Sequence, residues 1–272
     1  PIMGMKIEMI DCPREYALSE ADPVELVNAM FLKSPVEFED PRKLKSVTFT
    51  LKAKDPNRPL DLPEDDNQKI TARSKGRLVL EITPQPLRKT GQFPYRGSDA
   101  EALEALKPNR FVQSEDKKIR QLALKAAEGA GSAGEAAEKI EAFVADYING
   151  RGLSVGYASA AEVAESRQGD CSEFAVLTAA MCRSLGIPAR VVMGMAYIGT
   201  FGGSTNSFGG HAWNEVCIDG KWIALDAAFK SSGLGGYDAC HIKLMSSSGE
   251  PEAFFNLAGR MGSFTIEKAG IK

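Results

Sequence analysis

The chain has 272 residues, of which 43% are hydrophobic and 25% charged, enough apolar material for a proper core. Its 33 basic and 36 acidic residues leave a net charge of -3, which disfavours a nucleic-acid partner because phosphate binding relies on a basic excess. The sequence holds no apolar run of the ~18 residues that a membrane helix needs, so no integral membrane segment is expected.

From Pro1 to about Pro94 the sequence reads as β-rich. Lys45–Lys52 and Arg77–Thr83 alternate with a period of two and are enriched in β-branched residues, which predicts strands. Between them, Asp55–Asn67 is crowded with prolines and acids and is expected to be a surface loop. Leu18–Phe31 reads as a helix or a strand connection. Pro1–Ile10 lacks the basic start and apolar stretch of a signal peptide, and the opening Pro1 suggests a processed piece of a longer protein.

Around Thr90–Gly97 the composition turns helical, and a domain boundary is placed there: a β-rich accessory domain over 1–96 and a second domain over 97–272. Helices are predicted over Asp99–Leu106, Ser114–Glu128 and Ser132–Asn149, the last with an S-x-x-E capping box at Ser132 and Glu135 and a stop at Gly150. Ser159 and Glu162 make a second capping box ahead of a short helix.

The most informative stretch is Gly169–Pro188, in which Phe174, Leu177, Met181 and Leu185 recur at helical intervals. Asp170 followed by Glu173 predicts the N-cap at Asp170 and the first helical residue at Cys171. The thiol then sits at the positive end of a helix, where unpaired N–H groups and the macrodipole stabilise a thiolate. The five cysteines are an odd number without a CxxC pair, so no disulfide framework is expected; Cys12, Cys182, Cys217 and Cys240 read as small buried hydrophobes. With only His211 and His241 and no HExxH or paired-cysteine spacing, a zinc site has too few ligands and no metal is expected; no other cofactor is expected either.

Arg190–Ile198 reads as a strand, Gly199–Gly210 as a glycine-rich loop or a mobile flap, and His211–Ile218 and Lys221–Phe229 as a hairpin closed by Asp219-Gly220. A two-residue turn sets Ile218 opposite Lys221 and therefore Trp213 opposite Asp226, with His211 diagonal to Asp226 on one face. A carboxylate behind an imidazole turns a cysteine into a nucleophile, so Cys171, His211 and Asp226 form a candidate triad. Trp213 shares the face of His211 and is assigned to packing beside the triad and to substrate binding. His241 reads as structural or pocket-lining.

Gly169-Asp170-Cys171, Leu185-Gly186-Ile187-Pro188-Ala189-Arg190, Gly210-His211-Ala212-Trp213 and Asp226 together resemble the core of the transglutaminase-like superfamily, bacterial type. The resemblance covers about Ser159–Phe229. It implies an α+β, papain-like core in which the cysteine helix packs on an antiparallel sheet, with Cys171 as nucleophile, His211 as base and Asp226 as orienting acid. Tyr157 resembles the family's aromatic helper at the oxyanion site. Implied too are cysteine-dependent acyl transfer on peptide or glutamine-type amides of a protein or peptide substrate, either hydrolytic or transamidating, no metal, and an exported or periplasmic location. The competing class is a binding module that keeps this fold without catalysis.

Overall fold

The computed structural model describes residues 31–150, 157–201, 204–250, 257 and 260–272. Cys12 and, apart from Phe31, the segment Leu18–Phe31 lie outside them. The described chain is a mixed α+β structure of two antiparallel sheets and a helical layer.

The front sheet has the order β3-β4-β2-β9, from β2 (Val47–Ala53), β3 (Gln68–Ser74), β4 (Arg77–Ile82) and β9 (Phe264–Ile271). β2 and β4 are the two strands predicted from alternation, and their inward residues Val47, Phe49, Leu51, Leu78, Leu80 and Ile82 are buried. β3 was missed because it is largely exposed and carries no apolar alternation. β9 comes from the far end of the chain and pairs with β2 from Val47↔Ile271 to Ala53↔Phe264. Residues beyond 97 therefore complete the sheet begun before 96.

The rear sheet has the order β1-β6-β5-β8, with β7 also paired to β6. It contains β1 (Phe31–Lys33), β5 (Ala189–Phe201), β6 (Ser204–Ile218), β7 (Lys221–Leu225) and β8 (His241–Ser247). The expectation of a loop or flap over Gly199–Gly210 is corrected here: Ser204–Gly210 is strand, paired to β5 through Tyr197↔Phe208 and Met195↔Gly210 and to β1 through Phe31↔Gly209. Glycine richness signalled a loop, but tertiary pairing on both sides holds this stretch extended. Phe208 is buried among Phe38, Phe49 and Tyr197, with ring centroids 5.4–6.2 Å apart, so the flap-like arm joins the core under the front sheet.

The helices are α1 (Ala100–Glu104), α2 (Lys117–Ala126), α3 (Ala133–Tyr147), α4 (Ala160–Ser166), α5 (Cys171–Ser184) and α6 (Ala227–Ser231). Asp99, Asp116 and Ser132 cap the first three by accepting N–H groups of the opening turn. At Ser132 the box is half formed, because Glu135 Oε2 takes the N–H of Gly131 instead of that of Ser132. α3 stops at Tyr147, ahead of the expected Gly150, because Ile148 turns extended and Gly150 bridges Gln168. α5 packs on the face of β6 that carries Asn214, whose amide donates to the Ala175 carbonyl at 2.9 Å.

A buried polar seam ties the start of β3 and the segment before it to the rear sheet. Lys243 Nζ bonds Glu215 at 2.8 Å and also pairs with Asp65, Arg190 bonds Glu215 at 2.7 Å, and the Gln68 amide exchanges two 2.9 Å bonds with the Lys243 backbone. Buried charges need this degree of pairing, since an uncompensated ion would lose its hydration without return.

Candidate active site

Cys171 is the first residue of α5, as the sequence predicts. Asp170 accepts the Ser172 N–H at 3.0 Å, and Glu173 Oε2 accepts the Asp170 N–H at 2.9 Å, completing the reciprocal capping box. Glu173 Oε1 also takes the Ala158 N–H at 2.9 Å, so this buried carboxyl ties the segment beside Tyr157 to the turn that carries Cys171. Burial, with the charge of Asp170 adding, pushes the Glu173 carboxyl up to about 7. The thiol of Cys171 is free and half-buried, while the free thiols of Cys182, Cys217 and Cys240 are buried. Burial pushes Cys182 up to about 12, which makes it an inert hydrophobe.

The imidazole comes from β6. On one side β6 runs along β5; on the other it meets β1 over residues 207–209 and β7 over 214–218. His211 lies in the interval between those two partners. The predicted hairpin register holds at Ile218↔Lys221 and continues to Asn214↔Leu225. The strand expected to run on to Phe229 ends there: Asp226 lies one residue past β7 and is the N-cap of α6, accepting the Phe229 N–H at 2.9 Å through Oδ1. Its Oδ2 is left to face the imidazole, and His211 Nε2 approaches it at 2.7 Å. The backbone N–H of Asp226 donates at 2.8 Å to Glu141, which in turn pairs with Lys230 at 2.7 Å.

Burial alone would lower the pKa of His211, but the charge and hydrogen bond of Asp226 outweigh it, and a side-chain hydrogen bond with Cys171 acts in the same direction; the result is pushed up to about 9. Burial would likewise raise Asp226, yet the two imidazoles beside it hold it well below the usual carboxylate range. The structure thus brings Cys171, His211 and Asp226 into one connected group.

Trp213 is only 1% exposed and stacks under His211 at 6.1 Å, against Tyr237 and His241, so its ring supports the imidazoles from within the core. Tyr157 is half-buried and packs edge-on to Phe111, and its hydroxyl donates to the Gly249 carbonyl at 3.0 Å. Burial, followed by the charges of Glu173, Glu250 and Cys171, raises its phenol well above the ordinary value.

The sequence reading did not place His241 on the triad. Its Nε2 lies 3.1 Å from the same Asp226 Oδ2, its Nδ1 lies 2.9 Å from Asp238 Oδ1, and the side chain is fully buried. β5 separates the two histidines in the sheet, with Gly194 opposite His211 and Ala196 opposite His241. Only a contact across three strands, which local patterning does not encode, could have revealed this. Among the described residues, His211, Asp226 and His241 are also the group whose ligand atoms converge closely enough, within 4.8 Å, to hold a cation. Hydrogen bonds from both imidazoles to one carboxylate oxygen account for the same convergence.

Residues 120–227 match the family model of the transglutaminase-like superfamily. Among solved structures, the chain is similar to a candidate cysteine protease from Cytophaga hutchinsonii (20% identity, 89% of this chain and 84% of that one, TM-score 0.49). It is also similar to the periplasmic domain of TgpA from Pseudomonas aeruginosa (15% identity, 79% and 94%, TM-score 0.48) and to red sea bream transglutaminase (10% identity, 70% and 46%, TM-score 0.34). A comparison with curated proteins finds no match. Cys171, His211 and Asp226 all lie within the residues that match the transglutaminase-like superfamily model.

Proposed function

We propose that this protein is a cysteine-dependent acyl-transfer enzyme acting on peptide or glutamine-type amides, with Cys171 as nucleophile, His211 as base and acid, and Asp226 as orienting carboxylate. The observation that carries the reading is His211, bonded through Nε2 to a buried Asp226 and hydrogen-bonded to the Cys171 side chain at the head of α5.

The chemistry follows from those positions. Nε2–H is engaged by Asp226, which leaves Nδ1 as the ring nitrogen for the thiol proton. The thiolate attacks the amide carbonyl, and the N–H groups at the start of α5 stabilise the tetrahedral oxyanion. His211 gives its proton to the leaving amine as the C–N bond breaks, and a thioester remains on Cys171. A water or an amine then attacks the thioester, gives its proton to His211, and releases an acid or a new amide together with the thiol.

The test needs no substrate. Iodoacetamide labelling of Cys171 from about pH 4 to 9, read by peptide mass spectrometry, should be rapid at low pH and slowed or shifted in His211→Ala. Labelling that rises only near pH ~8.5 in both proteins would overturn the mechanism and favour a binding module with the same fold.

A further inference from the structure

Both nitrogens of His241 face carboxylates. Nε2 lies 3.1 Å from Asp226 Oδ2 and Nδ1 lies 2.9 Å from Asp238 Oδ1. A neutral imidazole has one N–H and one lone pair, so it can satisfy only one of two ionised carboxylates; the other contact would set lone pair against lone pair. An imidazolium satisfies both. Asp238 is itself fixed, since Oδ1 also accepts the Cys240 N–H at 2.8 Å, and Asp226 is fixed by Phe229 and Glu141.

The Asp238 backbone N–H also lies 3.3 Å from Nδ1, a longer contact than the 2.9 Å one to the Asp238 carboxylate, and the side chains around the ring leave the charge pattern intact. Trp213 and Phe229 contribute rings at 5.3 and 4.9 Å, and Tyr237 lies at 4.7 Å with a phenol that burial holds neutral. Lys243, the next residue on the same face of β8, is taken up by Glu215 and Asp65. Lys230, near Asp226, is taken up by Glu141. His211 lies on the other side of the shared oxygen, its ring centroid 5.7 Å from that of His241.

We propose that His241 is a resident buried imidazolium, clamped between Asp226 and Asp238, that positions Asp226 and moderates how strongly this carboxylate holds the proton of His211. Without a second cation, the full charge of Asp226 would bear on His211 and keep it protonated. A permanently protonated His211 could not accept the proton of an incoming water or amine. By sharing Oδ2, His241 weakens that hold while keeping the carboxylate ionised and oriented. This role rests on the acyl-transfer reading above; the charge state of His241 does not.

The chain contains only two histidines, so imidazole nitrogens can be followed one by one in the full chain labelled with 15N-histidine. Assigned by loss of the His211 signals in His211→Ala, His241 should carry a proton on both nitrogens throughout about pH 5 to 8, where a free imidazole would lose one. An unprotonated Nε2 or Nδ1 at pH ~7, as in a neutral tautomer or a metal-bound ring, would overturn the proposal. In His241→Gln, which keeps a donor toward Asp226 but no charge, the titration midpoint of His211 should move up by about one pH unit. An unmoved midpoint in a folded variant would overturn the moderating role; if that variant does not fold, Asp238→Asn, which weakens the clamp on His241 while leaving its ring in place, is read for the same upward shift of His211, and an unmoved midpoint there overturns the role equally. Because neither readout needs turnover, a failed labelling test at Cys171 would strike the acyl-transfer reading alone.

Discussion

His211 and Asp226 meet at 2.7 Å because the β6–β7 ladder ends at Leu225, one residue short of Asp226. Had the strand continued, both carboxylate oxygens would have stood off the sheet; as the N-cap of α6, Asp226 commits Oδ1 to a backbone N–H and presents Oδ2 to the ring. The orientation of the acid is therefore set by a helix start as much as by a hairpin register.

Asp226→Asn should preserve the cap, since asparagine caps helices as well as aspartate, while removing the charge that both imidazoles share. Acyl transfer should fall by roughly 10³–10⁴-fold, the scale at which loss of an orienting carboxylate acts through the wrong tautomer. The comparison to make is turnover of a glutamine-amide peptide by the variant and by the wild type, with circular dichroism confirming a folded chain. Activity within a few-fold of wild type would remove Asp226 from the mechanism.

Stability should decline on the alkaline side. His211 and His241 are both pushed up to about 9 from 6.5, so each contributes stability that is fully present below about pH 6.5 and is lost as pH rises through about 9. Glu173, raised to about 7 by burial, adds to the same trend between its ordinary range and neutrality, because the folded state prefers its protonated form. Urea midpoints measured from pH 6 to pH 10 should fall steadily, and a midpoint that climbs across this window would contradict the protonation pattern.

Gly194 has no room for a side chain. A Cβ there would lie 2.1 Å from the Ile242 carbonyl oxygen and 2.6 Å from the Trp213 ring, which supports both imidazoles. Gly194→Ala should cost about 1–3 kcal/mol, the range for overpacking a core, and should also slow Cys171 labelling by displacing Trp213. A stable variant with unchanged labelling would show that the sheet relaxes without moving the histidines.

Phe208 ties the strand arm before His211 to the front sheet through Phe38, Phe49 and Tyr197. Phe208→Ala should destabilise the fold by about 3–5 kcal/mol, measured by equilibrium unfolding. A loss below about 1 kcal/mol would mean that the aromatic cluster collapses around the vacancy.

Much of this architecture is local and was legible in residue order. Asp170, Glu173 and Cys171 announce a helix start because capping depends on three or four consecutive residues, and Asp219-Gly220 fixes a register because a two-residue turn leaves one pairing. The alternation of β2 and β4 was visible because each strand buries one face. Contacts between segments distant in sequence are different in kind. The straightening of Ser204–Gly210 depends on pairing with β1 and β5, the closure of the front sheet on a strand some 210 residues away, and the second grip on Asp226 on β8 being laid beside β5. Sequence by itself determined the helix that begins at Cys171 and the hairpin that aims His211 toward Asp226, since both are set by short-range geometry. Only the tertiary structure decided that His241 and Asp238 stand behind that pair, because the partners of a buried charge are chosen by which strands pack together.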